Sequence, residues 1–346
     1  MKVTEKIFGH LNNGKEVKLF TFESAKGLSI SISNYGGIIT SILMPDICGT
    51  IKEICAGFDS LEEYLDEHPH FGVIVGRYAN RIAKGRFTIN DKEYELPINN
   101  GANHLHGGNN GFHTKLWDYR IEREDNIASL VLHYQSKHLE EGYPGNLDIT
   151  VTYRVTDDNA LHINFSAKTD KPTHINLTSH GYFNLSGFDD NIMNHKLMIN
   201  ADRYLETDES LIPTGTLLEC DNTPLDFRQF TRLGDSVLPT SGGIDHCFEL
   251  LNNGSIDSLA AILKHKPSGR SISVYTTQPG LQLYTGNSLD GSIKGHNGTI
   301  YNKQDAVCLE TQHFPDTPNQ SNFPSTLLKP MEEYRHEVKY VFKTEP

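Results

Sequence analysis

Long apolar runs are missing from this chain of 346 residues. No stretch approaches the roughly 18 apolar residues of a membrane-crossing helix, so a helical membrane protein is not expected. The opening, MKVTEKIFGH, has no apolar core of the kind a secretion signal carries. Cysteine is scarce. Cys48, Cys55, Cys220, Cys247 and Cys308 make an odd number with no C-x-x-C pair. That disfavours a disulfide framework or a zinc–cysteine site, and reduced thiols in a cytoplasmic protein fit better. Positive charge is not in excess either: 31 Lys and Arg against 44 Asp and Glu leave −13. Nothing there replaces phosphate counterions or seeks anionic lipid, so neither nucleic acid nor a membrane is an expected partner.

Helical periodicity is thin, with SLEEYLDE at 60–67 as the one short candidate. No strand-helix-strand unit recurs, which disfavours a doubly wound parallel sheet. Four motifs are absent: the G-x-S-x-G elbow, the phosphate loop G-x-x-x-x-G-K-[ST], H-E-x-x-H and G-x-G-x-x-G. Serine nucleophiles, nucleotide chemistry and zinc proteolysis lose support with them.

What the chain does have is a period of two. Leu28, Ile30 and Ile32 alternate with serines. Leu147, Ile149, Val151, Tyr153 and Val155 share one face. After the turn residues Asp157-Asp158-Asn159 the alternation resumes at Leu161, Ile163, Phe165 and Ala167. This predicts a hairpin. SLVLHY, SISVYTT, LQLYTG and VKYVF are further strand candidates. Many short strands with Gly, Asn and Asp turns predict an all-β fold, a large antiparallel sandwich or barrel.

Polar residues interrupt this pattern at a few places. In HINLTSHGYFNL, residues 174–185, Ile175 and Leu177 alternate with His174, Asn176, Thr178 and His180. On a straight strand His180 then faces solvent or a polar cleft. GRYANRIAKGRF, residues 76–87, carries Arg77, Asn80 and Arg81, either a clamp for an anion or a set of hydroxyls or a basic surface loop. NNGANHLHGG places His104 and His106 two apart, on one face of any strand. A metal pair is possible in principle, but no carboxylate follows within a few residues, so no metal is expected. Asp245 follows a Gly-Gly-Ile run and reads equally as a turn aspartate. Gln282, between two leucines, lines a cavity or decorates a strand. Glu310 stands in the apolar run VCLET, where burial raises a carboxyl pKa toward that of a base useful near neutrality.

Taken together, GRYANRIAKGRF, NHLHGG, EGYPGNLDITVTY, NLTSHGYFNL, GGIDHCFEL, TTQPGLQLYTGN and CLETQHFPD resemble the aldose 1-epimerases, or galactose mutarotases. The resemblance runs from residue 34 to about 342. It implies one domain over residues 1–346, a galactose mutarotase-like β-supersandwich with a sugar cleft on one sheet. Carried over motif by motif, it makes His180 the general acid and Glu310 the general base. Asn80, Arg81, His106, Tyr182, Asp245 and Gln282 become sugar contacts. The implied activity is α/β interconversion of aldohexoses such as galactose and glucose. No cofactor is implied, the partner is a small aldose, and monomer and homodimer are both open. Four positions depart from the usual pattern: Gly181 (Ser or Thr), His113 (Asp), Lys329 (Arg) and Met331 (Gly).

The acid must begin protonated, and the carboxylates Glu310 and Asp245 are expected to keep His180 as imidazolium. Three alternatives have distinct marks. A sugar-phosphate mutarotase would use Arg77, Arg81 and Arg86. A sugar-binding module would not need the acid–base pair. A cupin-like enzyme would bind metal at His104 and His106.

Overall fold

The computed structural model describes residues 1–240 and 242–345. Three antiparallel sheets dominate it. The largest has nine strands, in spatial order Asp118–Glu124, Ile127–Ser136, Leu147–Thr156, Ala160–Thr169, Tyr334–Thr344, Arg270–Thr276, Leu259–His265, Lys196–Ile199 and Thr231–Arg232. A second has six, in the order Tyr182–Phe183, Val307–Gln312, Gly280–Tyr284, Asp245–Glu249, Arg203–Thr207 and Pro213–Glu219. The third is a five-stranded meander between Lys2 and Glu53.

The alternation in sequence becomes alternation in space. Leu147, Ile149, Val151, Tyr153 and Val155 are all fully buried, while Asp148 between the first two is exposed. The expected hairpin forms, with Val155 opposite Leu161. Asn159 at its turn takes φ 67°, a left-handed conformation that asparagine tolerates well. The short helix Leu61–Leu65 begins at Ser60, whose backbone N–H donates to Glu63 Oε2 at 3.1 Å. That is one arm of a capping box.

Side chains of all three sheets meet in one core. Phe20 and Ile30 come from the meander, Val151 and Ile163 from the nine-stranded sheet, and Leu281 and Leu309 from the six-stranded one. Each such side chain contributes roughly 1.5–3 kcal/mol by leaving water. Burial of one face therefore fixes strand register firmly, because a slip of one residue would turn every core side chain outward.

That constraint positions the opposite face of the six-stranded sheet. Val307 and Leu309 enter the core, so Cys308 and Glu310 turn away from it. Leu281 and Leu283 do the same on the neighbouring strand, which turns Gln282 and Tyr284 to the same side as Glu310. Glu310 sits directly opposite Gln282, and Gln282 opposite Cys247.

Candidate active site

A cavity of about 330 Å³ opens on this face. Seven of the eight expected residues line it: Asn80, Arg81, His106, His180, Tyr182, Asp245 and Glu310. The eighth, Gln282, is buried and does not line it. Its Nε2 donates to Asp245 Oδ1 at 2.5 Å.

Glu310 and His180 face each other. His180 Nε2 is 3.4 Å from Glu310 Oε2, and both side chains are nearly inaccessible to water. This is close enough for charge pairing but long for a good hydrogen bond, and Oε2 has no hydrogen-bond partner. The expectation of a standing imidazolium fails here. Burial pushes His180 down to about 3, and the neighbouring His70 adds to the depression. Burial likewise raises the Glu310 carboxyl well above its ordinary value, with the Asp245 charge adding and Arg81 opposing. Desolvation of both charged forms outweighs their attraction. Both shifts disfavour the charged pair, so a single proton shared between the two is held by Glu310 in preference to His180.

His180 is carried by backbone pairing. Its N–H donates to Val73 O and its carbonyl accepts from Gly72 N–H, both at 2.9 Å. The strand-parity argument that placed it does not hold. Between Thr173 and His180 only Thr173–His174 and Thr178–Ser179 are strand, in two separate two-stranded sheets, and every residue from Ile175 to His180 is buried. The assigned strand ends at Ser179, and the His180 ring lines the cavity, stacked on Tyr182 at 5.0 Å. A Cβ at Gly181 would meet the Phe183 ring at 2.8 Å, so a side chain there would displace that buried ring.

His104 and His106 part company for a similar reason. The strand His104–Leu105 ends before His106, which takes φ 52°. Parity therefore does not relate the two rings. His104 is structural: its ring is bonded to Pro97 O and to Tyr143 Oη, both at 2.7 Å. His106 Nδ1 accepts the Asn80 backbone N–H at 3.2 Å. Burial, with His70 and His180 adding, holds it well below its ordinary pKa, so the ring is neutral and carries its proton on Nε2. The turn that presents it needs the following glycine. Gly107 has φ 80°, and a Cβ there would lie 1.9 Å from Gly76 O.

His106, His180 and Glu310 each bring a potential metal ligand within 4.8 Å of the others. Metal ligation demands a free lone pair on the ring nitrogen and, as a rule, an N–H donated from the other. Nδ1 of His106 has its lone pair committed to Asn80 and Nε2 bears the proton, so neither nitrogen suits a metal. The ring is set instead as a hydrogen-bond donor into the cavity.

Arg81 lies 3.6 Å from Asp245 and donates through Nε to Asn100 Oδ1 at 3.2 Å. The other two arginines of that segment are elsewhere engaged. Arg77 is buried, and its guanidinium donates to Pro144 O at 2.8 Å and Gly145 O at 3.0 Å. Arg86 is exposed and pairs with Glu95 at 2.9 Å. One arginine, already beside a carboxylate, is a poor phosphate clamp, which removes the basis of the sugar-phosphate alternative.

The cavity also has walls that the sequence did not disclose, among them His70, Asn100, Tyr284 and Ser288. Tyr284 shares parity with Gln282 and was within reach of the alternation argument. Nothing in HPHFG marks His70, because its position depends on a left-handed backbone, φ 61°.

A cleft of polar side chains thus surrounds a carboxyl–imidazole pair on one sheet of a large antiparallel sandwich. The aldose 1-epimerase family model matches residues 18–341. The galactose mutarotase of Sus scrofa is 44% identical over 345 residues, covering 99% of each chain. The aldose 1-epimerase of Escherichia coli is 36% identical over 341 residues, 96% of this chain and 97% of the other. Among solved structures, a galactose 1-epimerase from Lactobacillus acidophilus superposes with a TM-score of 0.86 at 29% identity, covering 99% of this chain and 98% of its own. An aldose epimerase homologue from C. elegans gives 0.87 at 29%, covering 94% and 98%. The chain belongs to the aldose 1-epimerase family. It has the galactose mutarotase-like fold, and it is an isomerase whose reaction is epimerisation of aldoses at C1.

Proposed function

We propose that this protein interconverts the α and β anomers of aldohexoses such as D-galactose and D-glucose, with Glu310 as general base and His180 as general acid. One observation carries the assignment: a buried carboxyl with an unpartnered oxygen faces an imidazole at 3.4 Å inside the cavity.

The chemistry follows from the groups. Glu310 as carboxylate takes the proton of the C1 hydroxyl. The C1–O5 bond breaks, and its electron pair goes to O5, which takes the proton of His180. The open aldehyde turns about C1–C2 and presents its other face. O5 then attacks C1, returning its proton to His180, while the carbonyl oxygen recovers a proton from Glu310. No electrons are gained or lost, so the reaction calls for no redox cofactor. Each positioned acid or base is worth roughly 10²–10⁴-fold.

With one proton between them, the pair holds it on Glu310, as in the open-chain intermediate. The reactive form, carboxylate and imidazolium, has the same proton count. Bound sugar favours it by hydrogen bonding to each charged form, the C1 hydroxyl donating to Glu310 and O5 accepting from His180. His106 Nε2–H supports O5 as charge develops there. Asp245, braced by Gln282 and Arg81, accepts from ring hydroxyls.

The same reading takes residues 1–346 as one mutarotase domain. The unpaired state of all five cysteines supports a cytoplasmic setting. Among the described residues no helix is long and apolar enough to cross a membrane. Polarimetry on freshly dissolved α-D-galactose and α-D-glucose is the test. Faster mutarotation than the buffer blank is expected for the wild type, and its absence for both sugars overturns the proposal.

A further inference from the structure

His70 has no part in the mechanism above, yet it forms a wall of the cavity between the acid and a second pocket. Its ring centroid is 5.1 Å from that of His106 and 6.2 Å from that of His180. It lines both the catalytic cavity and a neighbouring pocket of about 400 Å³. Among the described residues its side chain makes no hydrogen bond, although His68, His104, His106, His174 and His313 all do. Its backbone is well held. The N–H donates to His68 O at 2.8 Å, and residues 72 and 73 are bonded to the backbone of His180. A polar ring is thus kept beside the acid with its donor and acceptor unused.

The order of groups around the cavity says what that ring meets. With Glu310 at the C1 hydroxyl and His180 at O5, a pyranose has two directions to run. Past C1 lie C2 and C3, and past O5 lie C5 and its substituent. Asp245, Gln282 and Arg81 are the groups on the Glu310 side. His106 and His70 are the groups on the His180 side. We infer that His70 is a specificity-determining residue that hydrogen-bonds the hydroxyl on C6 of a hexose. A neutral imidazole offers one donor and one acceptor, which matches a hydroxymethyl group. The inference rests on the proposed acid and base assignment, because that assignment sets the direction of the ring.

D-Fucose tests it, since it is D-galactose without the C6 hydroxyl and mutarotates by the same chemistry. Wild-type kcat/KM should favour D-galactose over D-fucose by about fivefold or more, the worth of one hydrogen bond of about 1 kcal/mol. His70→Phe should collapse that ratio toward one, with the loss on galactose falling in KM rather than kcat. His70→Gln, which keeps a donor and an acceptor, should restore most of it. A wild type indifferent to the C6 hydroxyl overturns the inference. So does a His70→Phe variant that loses both sugars in equal proportion, the mark of a purely structural role. A wild type that turns over neither sugar is a different failure: it overturns the mutarotase assignment, and this inference with it.

Discussion

One wall of the cavity is sheet and the other is loop, and they hold their side chains by different means. Asp245, Gln282 and Glu310 stand on adjacent strands whose alternate residues are locked in the core. Moving any one of them would mean shifting a register that several leucines enforce. His70, Asn80 and His106 stand on loops at φ 61°, 68° and 52°. Such conformations cost a residue with a side chain about 1–2 kcal/mol each, so neighbouring bonds must impose them. The strand wall is rigid by default; the loop wall is rigid only while its braces hold.

The largest expected effect lies on the strand wall. Glu310→Gln keeps shape and register but removes the base, and kcat should fall by roughly 10²–10⁴-fold. Calorimetry should still detect galactose binding. A variant that turns over at the wild-type rate would show that the base lies elsewhere, most simply on the loop wall.

The pair that spans the two walls predicts an unusual pH profile. Activity needs one proton shared between Glu310 and His180. On the acid side a second proton enters only near the depressed His180 value of about 3. On the alkaline side the last proton leaves only above the raised value of Glu310. The sign is the same from both ends: burial widens the active window. Polarimetric kcat/KM, corrected for the blank, should show no limb at the ordinary histidine value near 6.5 or the ordinary glutamate value near 4.3. A limb at 6.5 would mean that His180 titrates as a solvated ring, uncoupled from Glu310. Other groups facing the pair are Asp245, Arg81, His106 and His70; burial holds His70 down at about 4, so a mild loss below that value is allowed.

Gly107→Ala attacks the loop wall. The new Cβ would lie 1.9 Å from Gly76 O on a backbone with φ 80°. Backbone strain alone costs about 1–2 kcal/mol, and the clash adds to it. A lower melting temperature together with weakened activity is expected, because the turn presenting His106 must move. A stable, fully active variant would show that the loop wall has slack.

Gln282→Leu asks the milder question on the strand wall. It removes the bond that orients Asp245 while leaving the buried register intact. Losing a hydrogen bond to a charged group, worth about 1.5–3 kcal/mol, should raise KM by about tenfold or more with kcat nearly kept. A fall in kcat with KM unchanged would place Gln282 in the chemical step.

The same contrast explains what the sequence disclosed. Period-two reasoning found the long strands and the hairpin at 157–159, because burial of one face writes itself into alternating residues. Glu310 and Gln282 stand in such strands too, but the sequence marked Glu310 by its apolar neighbours and left Gln282 open between a cavity and a strand surface. Period-two reasoning gave the wrong account of His180 and of His104 with His106, since parity ends where the chain leaves the strand. Their segments were recognisable only through family resemblance, and His70 through neither route. The charge state of His180 was misjudged for another reason. The sequence shows which charges come together, but not how completely water is removed from them, and here desolvation is the larger quantity.

Left-handed backbone also occurs where no function requires it, which isolates its cost. Met331 has φ 72° and is fully exposed, at a position where the resemblance predicted glycine. The positive φ supplies the physical reason for that preference. Met331→Gly removes about 1–2 kcal/mol of strain, and glycine's greater freedom in the unfolded chain takes back about 0.4–1 kcal/mol. A net gain of about 0.5–1 kcal/mol is expected, seen as a rise of one or two degrees in the melting temperature with galactose kinetics unaltered. The side chain touches little, so lost packing cannot hide the gain. A lower melting temperature would mean that such conformations are nearly free in this fold. The braces around His106 and Asn80 would then serve to aim those side chains, with little strain to hold in check.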